Sequence, residues 1–308
     1  MNQSSQASAP VGHDDEIDLR ELFGVLWKGK WLIGGIASAA TVIAVIVALL
    51  LPNVYRAEAL LAPNDQDRAG GLSALAAQYG GLASLAGIDI GSGSSDKTGL
   101  GIEVLKSRQF VSDFIERRDI LVPLIAATGW DEESRELKID SDIYDVAERK
   151  WVREVRPPKK NTPSMQEAYE EFMSILSVSR DKVSGLVTIR IDHYSPDIAK
   201  QWVDWLVEDI NATTMHRDVA EAQQAIEFLY QQIEKTSVAD LQNVFFSLIE
   251  EQTKTVLLAN VTDEYLLRTL DPAVAPEKRL KPNRRLIVLL GMVLGGVFGI
   301  LVCALLNR

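Results

Sequence analysis

At 308 residues the chain has room for one large domain or two ordinary ones, and 47% apolar composition suits a soluble or a membrane protein. A formal charge of −11, with no basic stripe interleaved with aromatics, argues against nucleic acid, because phosphates repel such a surface. The lone cysteine, Cys303, lies in an apolar run near the end, so the middle of the chain is thiol-free and tolerates an oxidising compartment without proving one.

In chain order, residues 1–10 are small and polar, which predicts a disordered tail. Residues 14–30 set Ile17, Leu22, Val25 and Leu26 among charges and predict a short amphipathic helix. Residues 31–51 follow without one charge, and 286–306 are equally free of charge. About 21 residues cross a ~30 Å hydrocarbon core at ~1.5 Å per residue, so both runs read as transmembrane helices. A buried core helix of that length would carry a polar stripe. A cleaved signal peptide is disfavoured by the thirty residues that precede the first run. Trp27, Trp31 and Tyr55 flank that run at headgroup level.

Residues 54–63 tolerate a strand, and the Gly-, Ala- and Ser-rich stretch 70–101 predicts short helical fragments and flexible turns. Residues 102–120 place Val104, Leu105, Phe110, Val111, Phe114 and Ile115 at helical spacing. The charged stretch 131–161, closing on Pro157, Pro158 and Pro163, reads as a surface insertion or irregular loop. Ser164 with Glu167 three residues on has capping-box spacing and predicts a helix start. The runs 175–179 and 186–191 alternate and are joined through Gly185, which predicts a hairpin.

Residues 197–271 contain neither glycine nor proline, a length without breakers that long helices explain. Ile198, Trp202, Trp205 and Leu206, then Val219, Ala222, Ile226, Leu229 and Ile233, then Leu241, Phe245, Leu248 and Ile249 recur at helical intervals. Thr236-Ser237 is the expected interruption, with Asp240 three residues past Ser237 as a near-capping box. A forty-residue arm reaches about 60 Å, so an elongated projection is expected, and its narrow apolar stripe points to identical subunits packing beside it.

Two spans place both termini on one side. Charges divide on which: Arg20, Lys28 and Lys30 precede the first span, while Lys278, Arg279, Lys281, Arg284 and Arg285 precede the second and only Arg308 follows it. Counting them leaves the orientation open.

Catalytic and metal chemistry have no constellation to rest on. His13, His193 and His216 are far apart and lack partners at metal-ligand spacing, no GxSxG elbow occurs, and Cys303 sits in a span. The sequence GSGSSDKT at 91–98 imitates a phosphate loop, but Asp96 replaces the second glycine and sets a negative charge where phosphate would bind. Pairs such as Glu250 and Glu251 are solvated faces rather than acid/base dyads. No cofactor or metal is therefore expected.

Two features do carry information. Gly291, Gly295 and Gly299 fall four apart on one face of the second span, where absent side chains let another helix approach, and Gly34, Gly35, Ser38 and Ala39 offer a small face on the first. Pro272, Pro276 and Pro282 stiffen the segment ahead of the second span into an extended strap.

The assembly of IDLRELFGVLWKGKW, a first span, GGLASLAGI, LSVSRDKVSGLVTIRIDHYSP, a breaker-free helical region, and DPAVAPEKRLKP before a glycine-stepped span resembles the bacterial polysaccharide co-polymerases, nearest the Wzz-type O-antigen chain-length determinants. The resemblance covers essentially the whole chain, apart from the unmatched insertion 131–161. It implies an α+β membrane protein of the bacterial inner membrane. A cytoplasmic segment 1–30 would precede a span 31–51, and a periplasmic domain 52–285 would divide into an α/β base (52–200 and 265–285) and a helical projection over about 200–265. A span 286–306 and a cytoplasmic end 307–308 would complete it, and no sequence is present for the kinase domain that some relatives carry there. It further implies a non-catalytic homo-oligomeric ring or bell, setting the modal length of O-antigen, a lipid-linked glycan of lipopolysaccharide, built by a Wzy-type polymerase. Rival readings are a two-span periplasmic sensor, which needs a cytoplasmic output, and a transport adaptor, which needs a lipoyl-like β domain.

Overall fold

The structure, a computed structural model, describes residues 29–64 and 97–306. The expected N-terminal tail, nearly all of the amphipathic segment 14–30, most of the stretch 70–101 and residues 307–308 lie outside the described residues. The chain divides into two compact units, one from the described parts of 1–51 and 282–308 and one of Pro52–Lys281.

The first unit is a pair of long apolar helices, α1 (Lys30–Leu50) and α8 (Arg284–Leu306). Their large side chains point outward: Val42, Ile43, Ile46 and Leu49 on α1, and Leu290, Val293, Leu294 and Phe298 on α8, are all exposed. Only 6% and 17% of the two apolar windows is buried, the reverse of a soluble core helix.

The second unit is built on a four-stranded antiparallel sheet in the order β6-β7-β1-β8, with β1 Tyr55–Pro63, β6 Leu176–Arg180, β7 Val187–His193 and β8 Leu267–Asp271. Period-two alternation sorts its faces. Ala57, Ala59 and Leu61 of β1 and Val187, Ile189 and Ile191 of β7 point into the core. Across the other face, Glu58 pairs with Arg190 and Arg56 with Asp192.

Helices close the buried side: α2 (Lys97–Leu105), α3 (Arg108–Arg117), α4 (Leu121–Ile125), α5 (Met165–Ile175) and the start of α6 (Pro196–Lys235). Phe114, Phe172 and Trp202 form its centre, with ring centroids 5.4 and 6.1 Å apart along the series. The single helix expected over 102–120 is two, because the chain breaks at Lys106-Ser107 and Ser107 Oγ caps α3 by accepting from Phe110 N. At α5 the capping box forms as the spacing predicts, Ser164 Oγ accepting from Glu167 N and Glu167 Oε2 from Ser164 N.

The stretch 131–161 is not an irregular loop throughout. It takes part in two small hairpins, β2 (Ala127–Asp131) with β3 (Glu136–Ile139), and β4 (Tyr144–Asp145) with β5 (Lys150–Trp151). Both use the turn that joins β6 to β7. In each, an aspartate opens the turn by accepting two backbone N–H groups: Asp131 from Glu133 and Ser134, Asp145 from Ala147 and Glu148, Asp181 from Val183 and Ser184. Four residues later the backbone turns left-handed, at Arg135 (φ 54°), Arg149 (φ 52°) and Gly185 (φ 73°).

The breaker-free region forms α6, forty residues long, then α7 (Ala239–Val261), packed on it as a helical hairpin. At ~1.5 Å per residue α6 runs about 60 Å. The interruption falls at Thr236–Val238. The expected Ser237–Asp240 box does not form: α7 begins one residue later, with Val238 at the N-cap position and no side-chain cap, and Gln242 Nε2 donates to Thr236 O at 2.7 Å. The helical spacing also gives way before Asp271, because α7 ends at Val261 and 267–271 joins the sheet as β8.

Candidate functional site

The site-forming regions are the helix pair, the segment that returns to α8, and the far part of the α6–α7 hairpin. In the helix pair Gly291, Gly295 and Gly299 face α1. A Cβ on Gly291 would strike the Ala44 methyl, one on Gly295 would lie 2.5 Å from Ala40 Cβ and 3.1 Å from Ala37 Cα, and one on Gly299 would lie 3.1 Å from Ile33 Cα. Real Cβ contacts essentially never come as close as those at Gly291 and Gly295, and the contact at Gly299 would be unusually tight, so the helices approach this closely because the side chains are absent. Gly295 and Gly299 are buried; Gly296 has open space beside it.

The partner face on α1 differs from the expected one. Gly34 and Gly35 have nothing within 4 Å, and Ser38 and Ala39 are exposed. Contact runs instead through Ile33, Ala37, Ala40 and Ala44, toward buried Ala48. The reason lies further along the helix. The face begun by Gly35 and Ala39 continues into exposed Val42 and Ile46, whose branched side chains stop a close approach, whereas the other face stays alanine.

In the second unit, residues 272–281 leave β8 without regular structure until Lys281 forms a bridge with Val54. Pro272 is exposed and Pro276 half-buried, while Ala273 between them is buried in the core. The return is fixed by Leu280 N to Val54 O (2.7 Å) and Val54 N to Lys281 O (3.0 Å). Asp192 on β7 joins the parts, accepting from Arg56 Nε and Nη2 at 2.6 and 2.9 Å and pairing with Lys281 Nζ at 3.4 Å. The Asp192 hydrogen bonds raise the Arg56 pKa above the ordinary arginine value. Pro282 belongs to the first unit, two residues before α8.

A second latch was not legible in the sequence. Buried Asn211, inside α6, accepts from Leu266 N (2.7 Å) and Leu267 N (2.9 Å) and donates to Leu267 O (3.0 Å), securing the start of β8. Asn64 adds bonds to Leu266 O and Glu264 O. A lone asparagine in a helix interior gives no signal by itself; only the pairing of β8 beside it reveals its role.

The hairpin changes character along its length. Ala199, Trp202, Val203, Leu206 and Ile210 of α6 are buried, and buried Asp209 is held by Arg118 (2.6 Å) and Arg117 (3.4 Å). Beyond Ala222 burial becomes partial: Ile226, Leu229, Ile233 and Phe245 are half-buried and Ile249 is buried, while Phe228, Tyr230, Leu241, Val244, Phe246 and Leu248 are exposed.

His193 is buried, with Ser195 N donating to its Nδ1 and its Nε2 3.1 Å from Pro123 O, an arrangement that suits the neutral ring protonated on Nε2. Burial pushes its pKa below the ordinary value. His216 is exposed, and His13 lies outside the described residues. Among the described residues no His/Cys/Asp/Glu group suits a metal. Of the loop at 91–98 only Lys97 and Thr98 are described: Lys97 opens α2 and pairs with Asp218 at 3.6 Å, and Thr98 is buried.

Residues 15–117 match the family model of the Wzz chain length determinant protein, and residues 235–308 match that of the G-rich domain on putative tyrosine kinase. Among solved structures, a full-length bacterial polysaccharide co-polymerase is 15% identical over 95% of this chain and 97% of its own, with a TM-score of 0.38. A fragment of WzzB, the polysaccharide co-polymerase from Salmonella Typhimurium, is 15% identical over 74% of this chain and 100% of its own, with a TM-score of 0.27. No curated protein matches significantly.

Two long apolar helices flank an α+β domain in the sequence, and the family models place a chain length determinant match at one end and a G-rich domain match at the other. Residues 15–117 carry the match to the Wzz chain length determinant family, whose members are non-catalytic, oligomeric regulators of the bacterial inner membrane.

Proposed function

We propose that this protein sets the modal length of O-antigen, a lipid-linked glycan of lipopolysaccharide, extended by a Wzy-type polymerase. The observation that carries the reading is the Wzz match at 15–117, which spans α1, β1, α2 and α3, the first apolar helix and part of the domain that follows it. In this reading α1 and α8 cross the inner membrane, both termini are cytoplasmic and the domain between the spans is periplasmic. Exposed Leu241, Val244 and Leu248, one stripe of α7, pack against neighbouring copies in a closed ring, since water disfavours leaving such a stripe open. The ring influences how long the polymerase retains a growing chain and breaks no glycosidic bond itself. Gly291, Gly295 and Gly299 hold the spans together, and Pro272, Pro276 and Pro282 stiffen the return to the membrane.

Deleting the gene tests this. The surface polysaccharide ladder should change from a defined modal length to an unregulated distribution and recover on complementation; an unchanged ladder refutes the assignment. Reporter fusions at the exposed Val183 turn should report a periplasmic location.

A further inference from the structure

Chain-length control gives no role to the cations ahead of α8. Lys278, Arg279 and Lys281 fall within four residues in a chain of net charge −11, with Glu277 the one acid beside them. All three are exposed. Lys281 shares Asp192 with Arg56, and among the described residues neither Lys278 nor Arg279 has a salt bridge. Arg279 lies near enough to Tyr55 to act on its hydroxyl electrostatically, but neither cation is paired with a carboxylate in a salt bridge and both stay exposed, open to an anion outside the fold.

The backbone limits what that can be. The bonds of Val54 to Leu280 and Lys281 fix the run beside β1. Val54 follows the last residue of α1, Leu50, by four positions, and Lys281 precedes the first residue of α8, Arg284, by three. At ~3.3–3.6 Å per residue, neither apolar helix end is more than about 15 Å of chain away. A bilayer holding these helices has its lipid headgroups at that distance. Pro276 and Pro282 flank the run and restrict its backbone, which lowers the entropy lost when the cations are engaged.

We infer that Lys278 and Arg279, with Lys281, form a docking surface for the phosphate groups of anionic phospholipids. The inference needs the helices to lie in a bilayer. It does not need the identity of the glycan or the side on which Pro52–Lys281 stands, so the polysaccharide ladder and the lipid measurement fail independently. If that unit is periplasmic, the cations occupy the side where loops are ordinarily poor in them, and headgroup binding explains their retention.

The test uses full-length protein in phosphatidylcholine vesicles, doped with spin-labelled phosphatidylglycerol or spin-labelled phosphatidylcholine, reading the motionally restricted fraction by electron paramagnetic resonance. Wild type should favour phosphatidylglycerol by about threefold or more, on the scale of a few juxtamembrane cations. Lys278→Gln with Arg279→Gln should at least halve that preference, Lys278→Arg with Arg279→Lys should keep it, and salt near ~0.5 M should suppress it. Equal preference in wild type and the glutamine variant overturns the inference. So does displacement of the label by a polyprenyl diphosphate added mole for mole, which would assign the surface to a lipid-linked diphosphate instead.

Discussion

The near and far parts of α6 belong to one uninterrupted helix and solve opposite problems. From Ala199 to Ile210 the helix is a core element, its apolar positions buried against β1, β7 and the aromatic centre. Past Ala222 the same spacing continues through Ile226, Leu229 and Ile233, now only half-buried, while Phe228 and Tyr230 off that stripe are 59% and 52% exposed, and Leu241, Val244, Phe246 and Leu248 on α7 are exposed too. Periodicity reports that a helix has an apolar side; it does not report whether the chain itself covers that side. The near part is completed by its own sheet, and the far part is covered only partly, by α7.

The largest effect should come from attacking the near part. Trp202→Ala should cost about 3–5 kcal/mol, enough to unfold the domain, read as lost near-ultraviolet circular dichroism in a denaturant titration of the detergent-solubilised protein. Retained stability would mean that the sheet and α6 are not one core. In the helix pair, Gly295→Leu should cost about 1–3 kcal/mol, because its side chain must displace Ala40 and Ala37. Cysteine crosslinking between the two helices in membranes should weaken, with the unit Pro52–Lys281 still folded.

Two carboxyl and imidazole tests are smaller. Glu167 is held to about 2, first by Lys159, then by Arg153, with its capping bond to Ser164 N contributing. Its folded value lies below its unfolded one, so its stabilisation is full above about pH 4.5 and disappears as pH falls toward 2. Glu167→Gln should cost about 1 kcal/mol at neutral pH and flatten that acid dependence. His193 is also lowered, by burial, so its neutral form is favoured in the fold and its contribution is lost as pH falls below its ordinary value near 6.5. Thermal melts at pH 7.5 and pH 5.5 should show that loss. The expected weakening is at the start of α6, where Ser195 both donates to His193 and caps the helix, and not in the far hairpin.

How much of this was legible in the sequence follows from which signals are local. Uncharged runs of membrane length, the Ser164–Glu167 box and the Gly185 hairpin each depend on a few neighbouring residues, and each appears in the fold. The two hairpins of the insertion escaped because Arg135 and Arg149 occupy the left-handed position that glycine announces at 185; the aspartate four residues earlier was the available signal. The Ser237–Asp240 cap failed because spacing does not fix the residue at which a helix starts. In the helix pair the glycine steps of α8 were visible, but the choice between two small faces of α1 turned on what Val42 and Ile46 do a turn or two later. Asn211 was invisible because its partners are more than fifty residues away.

The smallest effect on stability should come from the far hairpin, and it tests the account most directly. Leu241→Glu with Leu248→Glu replaces side chains already 48% and 40% exposed, so the folding free energy should change by less than about 1 kcal/mol. Expressed in a deletion strain, this variant should be membrane-inserted and folded, should crosslink as a monomer, and should leave the surface polysaccharide without a modal length. A variant that stays monomeric and still restores the modal ladder would contradict the account.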